Sequence, residues 1–252
     1  MKIITSYIPA NENDTSITIT ATSEDSVFNV SNLKSLEPVK CWKSTDTSTE
    51  QKIKFDFGSV AKHANTLFLN RINFAECTIL YSTDDVTYNI LETITGMETD
   101  EIADENYIKR WIELGDITFR YVKIAIPSQT PLFETSYFKI GNALFGNYTE
   151  IWDPKNGFSV EIMPKMSITE FGSGYISSVK RGRTRRQFTG NFENITMEEY
   201  NKLSLTYNPL IIYNDFENDF SKCYLVRHVK SFKRTYKMSN IVTHSFVYEE
   251  IV

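Results

Sequence analysis

Residues 52–58 read Lys-Ile-Lys-Phe-Asp-Phe-Gly, and this strict alternation constrains the fold more than any other stretch of the chain. Successive side chains of a strand point to opposite faces, so Ile53, Phe55 and Phe57 share one face while Lys52, Lys54 and Asp56 share the other. The segment is expected to be a half-buried strand ending at a turn on Gly58. Composition extends the expectation to the whole chain. Thr, Ile and Val are abundant beside 14 Tyr and 17 Phe, residue types that suit pleated, half-buried surfaces, so the fold class is mainly β.

Further strands are expected at 17–20, 26–30, 66–69, 78–81, 108–113, 119–126 and 137–144, with the acidic stretch 98–105 as a loop. Turn chemistry concentrates at Trp152-Asp153-Pro154-Lys155-Asn156-Gly157, which places a domain boundary near residue 150. Charge changes at the same place. Residues 1–150 hold 13 Lys and Arg against 21 Asp and Glu, a net −8; residues 151–252 hold 14 against 11, a net +3. Two modules are expected, 1–148 and 149–252, the first able to fold alone as a soluble monomer. In the second, strands are expected at 158–162, 175–180, 187–192, 209–213, 222–229 and 241–252. Thr196-Met197-Glu198-Glu199 has the form of a capping box, and Tyr200, Leu203 and Tyr207 then form one apolar stripe on a short helix stopped by Pro209.

No arrangement in the sequence points to catalysis. His63, His228 and His244 stand singly, which speaks against a histidine metal site. Cys223 and His228 fall on opposite faces of one expected strand, so they make no nucleophile–base pair. Cys41, Cys77 and Cys223 lack the spacing of a thiolate zinc site, and an odd number argues against a disulfide framework. Gly172-Ser173-Gly174 lacks the Lys-Thr and helix of a phosphate loop. No cofactor, metal or catalytic residue is expected. The chain contains no apolar run of the roughly 20 residues that span a bilayer, so no membrane insertion is expected, and the chain is expected to be made in the cytosol.

The strongest local charge signal is Lys180-Arg181-Gly182-Arg183-Thr184-Arg185-Arg186, with five cations in seven residues. It reads as the tip of a hairpin. A site for single-stranded nucleic acid would interleave aromatic residues, which this segment lacks. The alternatives are a solvated loop and a subunit interface at Lys180, Arg181, Arg183, Arg185 and Arg186, where guanidinium forks would meet carboxylates of a neighbour.

Residues 25–146 resemble the discoidin-like, galactose-binding β-sandwich family. The resemblance is carried by Asn32-Leu33, Trp42-Lys43-Ser44, Ile53-Lys54-Phe55-Asp56-Phe57-Gly58, Tyr81-Ser82-Thr83-Asp84-Asp85 with Tyr88, and Phe119-Arg120-Tyr121-Val122-Lys123-Ile124; Asp85 stands where the family has Gly. It implies a jelly-roll sandwich in which Trp42, Phe55, Phe57 and Gly58 are framework residues. The family binds through loops at one end, and no sugar-binding residue can be transferred by motif.

Residues 151–252 resemble the tube-fold domains of tailed-phage distal and minor tail proteins in layout: a hairpin with an Arg-rich tip, a capped helix with Thr196, Tyr200 and Leu203 as structural residues, and closing strands. This implies a tail-tube-like β-sandwich that forms a ring, usually a hexamer. Six subunits lending four strands each would give a circumference of about 160 Å and a channel of roughly 40 Å, wide enough for DNA to pass without specific binding. The combined expectation is a structural virion protein of a long phage tail. Its partners would be itself, other tail proteins and a host-surface glycan. The rival expectation is a monomeric carbohydrate-binding module protein.

Overall fold

A computed structural model describes residues 1–9, 15–37, 39–59, 61–97, 100–102, 105–133, 136–150, 155–163, 166–170, 176–180, 185–204, 210–213, 222–229, 233–238 and 241–251. The chain is mainly β, as its composition implies. One antiparallel sheet of five strands runs in the order β2 (Thr18–Ala21), β4 (Gln51–Asp56), β10 (Tyr121–Ile126), β6 (Cys77–Ser82) and β7 (Asn89–Ile94). The alternating segment is β4. Ile53 lies opposite Ile124 and Phe55 opposite Val122, and all four side chains are buried.

A second, longer sheet of eleven strands covers that apolar face. Along its path come β13 (Lys155–Met163), β16 (Arg185–Thr196), β20 (Ile241–Glu250), β18 (Cys223–His228), β17 (Leu210–Tyr213), β1 (Lys2–Ile8), β12 (Asn142–Glu150), β5 (Lys62–Ile72), β9 (Glu105–Phe119) and β8 (Asp100–Ile102), with β19 (Lys233–Met238) branching from β20. The inward side chains of β5, β9 and β12 meet those of the five-stranded sheet in one core. Phe145 stands edge-on to Phe55 at 5.2 Å and to Phe57 at 5.3 Å, the preferred geometry for aromatic quadrupoles. The first half is therefore a two-layer sandwich. Trp42, on β3 (Trp42–Lys43, paired with β11, Lys139–Ile140), is fully buried and donates its indole N–H to the Ser23 carbonyl at 3.1 Å. At Gly58 φ is +81°, and a Cβ there would lie 2.8 Å from the Ser16 carbonyl oxygen, so the turn needs glycine.

β1 was not anticipated as a strand, and it joins the two halves. It pairs with β12 on one side and with β17 on the other. Ile3 enters the core of the second half beside Phe188 and Ile212, while its neighbour Ile4 enters a third cluster with Phe68, Trp111 and Ile211. The fit is close: a Cβ on Gly146 would lie 2.5 Å from Ile4 Cγ2. The boundary expected near residue 150 falls between β12 and β13, with 151–154 outside the described residues. Asn156 and Gly157, expected in a turn, lie in β13, where the pairing register shifts between Lys155 and Ser159.

Two other expectations are corrected. Residues 26–30 do not form a strand. Asp25 Oδ1 accepts the backbone N–H of Val27 at 2.8 Å and of Phe28 at 3.0 Å, and Asn29 caps a 3-10 turn over Val30–Lys34, so side chains take the donors a ladder would use. Nor do the described ends of the Arg-rich segment form a hairpin tip: on β15 (Ile176–Lys180) Lys180 pairs with Met166 of β14 (Met166–Glu170), and Arg185 and Arg186 pair with Met163 and Ile162, while 171–175 and 181–184 lie outside the described residues.

In the second half, α1 (Met197–Ser204) begins immediately after Thr196, the position expected for its cap. Tyr200 is buried, edge-on to His244 at 5.4 Å. Leu203 lies on the helix, while Tyr207 and Pro209 lie outside the described residues.

Candidate functional site

Register fixes which loops share an end of the sandwich. Ala21 pairs with Ile53, and Gln51 with Ile126, so the loops after β2, before β4 and after β10 emerge together. Hydrogen bonds knit them. Ser23 Oγ donates to Gln51 Oε1 at 2.6 Å, Ser44 Oγ accepts the Phe138 N–H at 2.8 Å, and Ser128 Oγ donates to the Thr47 carbonyl at 3.4 Å.

Lys43 stands among them. Its ammonium lies 4.1 Å from the centroids of both the Phe28 and the Tyr137 rings and donates to Tyr137 Oη at 2.9 Å. All three residues are half-buried, and Val27 beside them is 70% exposed. Cation–π contact on two sides holds the ammonium in place where solvent and a ligand can still reach it. Next to this bracket, Asp46 accepts from Ser48 Oγ and Thr49 Oγ1, each at 2.6 Å, and these bonds hold its carboxyl at about 2. The Ser/Thr-rich loop 44–49 is thus shaped around a fixed carboxylate.

A second concave feature lies along the side of the sandwich, between β7 and β9. This cleft of about 170 Å³ has a floor of Ile94, Trp111 and Ile112 and a rim of Glu92, Arg110 and Glu113. Glu113 accepts from the Lys2 ammonium of β1. Among the described residues, β9 beyond Tyr107 pairs only with β5, so the cleft runs between two free sheet edges.

The opposite end of the five-stranded sheet carries the Tyr-Ser-x-Asp turn. Asp84 Oδ1 accepts from the N–H groups of Val86 and Thr87 at 2.9 Å, and Asp85 adopts φ +63°, in the left-handed region that favours glycine. The Asp85 carboxylate earns its place by accepting from Lys54 Nζ at 2.8 Å and from the Tyr88 hydroxyl, bonds that hold its pKa below the ordinary value.

Arg185 and Arg186 lie on β16 and find their acids within the same chain. Arg185 Nη1 meets Glu249 at 2.7 Å, and Arg186 Nη1 meets Glu250 at 3.2 Å. Lys180 ends β15; Arg181 and Arg183 lie outside the described residues. The sequence did not single out Phe28, Lys43 or Tyr137 as a group, because they sit on three separate segments. Lys43 is the middle residue of Trp42-Lys43-Ser44, and that was its only signal.

No family model and no curated protein matches the chain. Among solved structures, similarity is found to the chitosan-binding module 1 of a chitosanase/glucanase from Paenibacillus sp. IK-5, at 19% identity over 54% of this chain and 96% of that one, TM-score 0.43. A Clostridium perfringens CBM32 module in complex with GalNAc-β-1,3-galactose is 12% identical over 56% of this chain and 99% of that one, TM-score 0.44. A family 32 carbohydrate-binding module from the same organism, in complex with galactose, is 14% identical over 59% of this chain and 100% of that one, TM-score 0.43.

Proposed function

We propose that the N-terminal sandwich is a non-catalytic carbohydrate-binding module and that the chain acts by holding a glycan. The bracket of Phe28, Lys43 and Tyr137 on the knitted loop end carries this reading. A sugar ring offers C–H groups on its faces and hydroxyls at its rim. Half-exposed aromatic rings beside a fixed ammonium and a loop of Ser and Thr hydroxyls present the matching apolar and polar surfaces. Galactose, GalNAc-β-1,3-galactose and chitosan oligomers are the first ligands to titrate. Saturable binding that falls at least tenfold in Tyr137→Ala and in Lys43→Ala, with unchanged circular dichroism, is expected. Absence of binding to any glycan on a broad array, or full binding by both variants, would overturn the reading.

A second reading, a ring-forming structural protein near the distal end of a phage tail, is favoured by the arm of β14 and β15. Among the described residues, β14 and β15 pair only with each other, and a lone two-stranded ribbon is marginally stable in water. An arm of this kind gains stability from a neighbouring subunit. In this reading the chain is a virion component that gives DNA a conduit, with the loop end facing the host surface. Electron microscopy at high protein concentration tests it: closed rings support it, and monomers throughout contradict it.

A further inference from the structure

On the outward face of the five-stranded sheet, one line of paired residues crosses all five strands. Thr20 of β2 lies opposite Lys54 of β4, Lys54 opposite Lys123 of β10, Lys123 opposite Leu80 of β6, and Leu80 opposite Ile90 of β7. A hydroxyl, two ammoniums and two aliphatic side chains thus follow one another. Lys52, two residues before Lys54, shares this face. The line is open to solvent: Thr20 and Lys52 are exposed, Lys54 and Lys123 are half-buried, and Ile90 is 68% exposed.

The charges on this face do not balance. Glu50 takes Lys52, Asp85 takes Lys54 at 2.8 Å, and Asp56 takes Arg120 at 3.4 Å. Among the described residues no carboxylate forms an ion pair with Lys123, whose ammonium instead lies 3.4 Å from the centroid of the Tyr88 ring. Burial lowers the pKa of Lys123, Asp85 offsets part of this, and Lys54 and Lys52 lower it further. Like charges directly opposite one another destabilise a sheet. Residues 1–150 carry a net charge of −8, yet Lys52, Lys54, Arg120 and Lys123 gather four of their 13 cations here.

From this geometry we infer that the outward sheet face binds an acidic sugar, a uronic acid residue of a glycan, at a site separate from the loop end. The carboxylate meets the ammoniums of Lys123 and Lys54, a ring hydroxyl meets Thr20, and the C–H face of the sugar lies on Leu80 and Ile90. β4 and β10 are interior strands with ladders on both sides, so no peptide strand can add to them and recognition rests on side chains. The negative field of the first half repels long polyanions, which favours acidic residues spaced by neutral ones. The inference goes beyond the loop-end reading and does not depend on it.

NMR titration of the full chain with trigalacturonate tests it, with neutral galactotriose and the acidic peptide hexaglutamate as controls. The amide signals of Lys54, Tyr88, Ile90 and Lys123 are expected to move and saturate with trigalacturonate, less so in high salt, and to stay in place with both controls. Lys123→Gln should weaken binding at least tenfold without lowering the melting temperature, because it removes one of two opposed like charges. Ile90→Ser, at an exposed position, should weaken binding several-fold. Absence of saturable movement at these signals, equal binding of either control, or full binding by both variants would overturn the inference. Galactose that moves the signals of Phe28, Lys43 and Tyr137 while trigalacturonate leaves the sheet face unmoved would overturn this site and keep the loop-end reading; the converse pattern would keep this site and overturn that reading.

Discussion

Lys109 and Glu250 meet ammonium to carboxylate at 3.3 Å with side chains 1% and 3% exposed, although one lies on β9 and the other ends β20. The same carboxylate receives Arg186, and the Lys109 ammonium lies 3.8 Å from the centroid of the Tyr224 ring. Trp111, two residues along β9, stacks on Tyr213 at 5.0 Å. The long sheet therefore curls until strands of its first and second halves touch, and the contact is closed by buried charge.

Burial raises the cost of removing any one member of this cluster. Glu250→Leu removes the buried carboxylate that two buried cations share and should cost about 3–5 kcal/mol in denaturant melts. Lys109→Met leaves Glu250 with Arg186 and should cost clearly less. The reverse order would mean that Lys109, not Glu250, is the centre of the network.

Two positive-φ positions should respond in opposite ways. Gly58→Ala forces a Cβ against the Ser16 carbonyl in a conformation L-residues avoid, and should cost about 1–3 kcal/mol. Asp85→Gly relaxes the backbone at φ +63° while giving up half-buried bonds to Lys54 and Tyr88, two effects that offset each other, so it should be close to neutral. Thermal melts compare them, and an Asp85→Gly penalty as large as that of Gly58→Ala would show that those side-chain bonds hold the turn.

The loop end should be insensitive to mild acid. Asp46 has its carboxyl held at about 2 against an ordinary 3.8, so its contribution to loop order is complete above the unfolded value and is lost as pH falls through about 2. Carbon-detected NMR titration of the Asp46 carboxyl should give a midpoint near 2. A midpoint near 3.8 would mean that Ser48 and Thr49 do not grip it in solution.

Local patterns were readable where one residue's role depends on its immediate neighbours. The alternation of Ile53, Phe55 and Phe57 with charged residues fixed a face of β4 because a strand's period needs no knowledge of its partner. Thr196 likewise marked the start of α1. β1 escaped notice because Ile3 and Ile4 are adjacent, and adjacent apolar residues indicate a strand only once both faces of the sheet are known to be covered. Residues 26–30 misled because Asp25 and Asn29 divert the backbone donors locally. The cations of 180–186 were evident, but Glu249 and Glu250, which claim Arg185 and Arg186, are distant in sequence, and so are the three residues of the Lys43 bracket. Pairings of that kind are set by topology, which no local pattern encodes.

Differential scanning calorimetry of the whole chain bears most directly on the central claim, that β1, paired with β12 on one side and β17 on the other, makes one body of the two halves. The account predicts a single transition whose calorimetric and van't Hoff enthalpies agree, and predicts that Ile4→Asn, which places an amide in the cluster of Phe68, Trp111 and Ile211, lowers that one transition as a unit. Two separable transitions in the wild type, with only one shifted by the substitution, would contradict it.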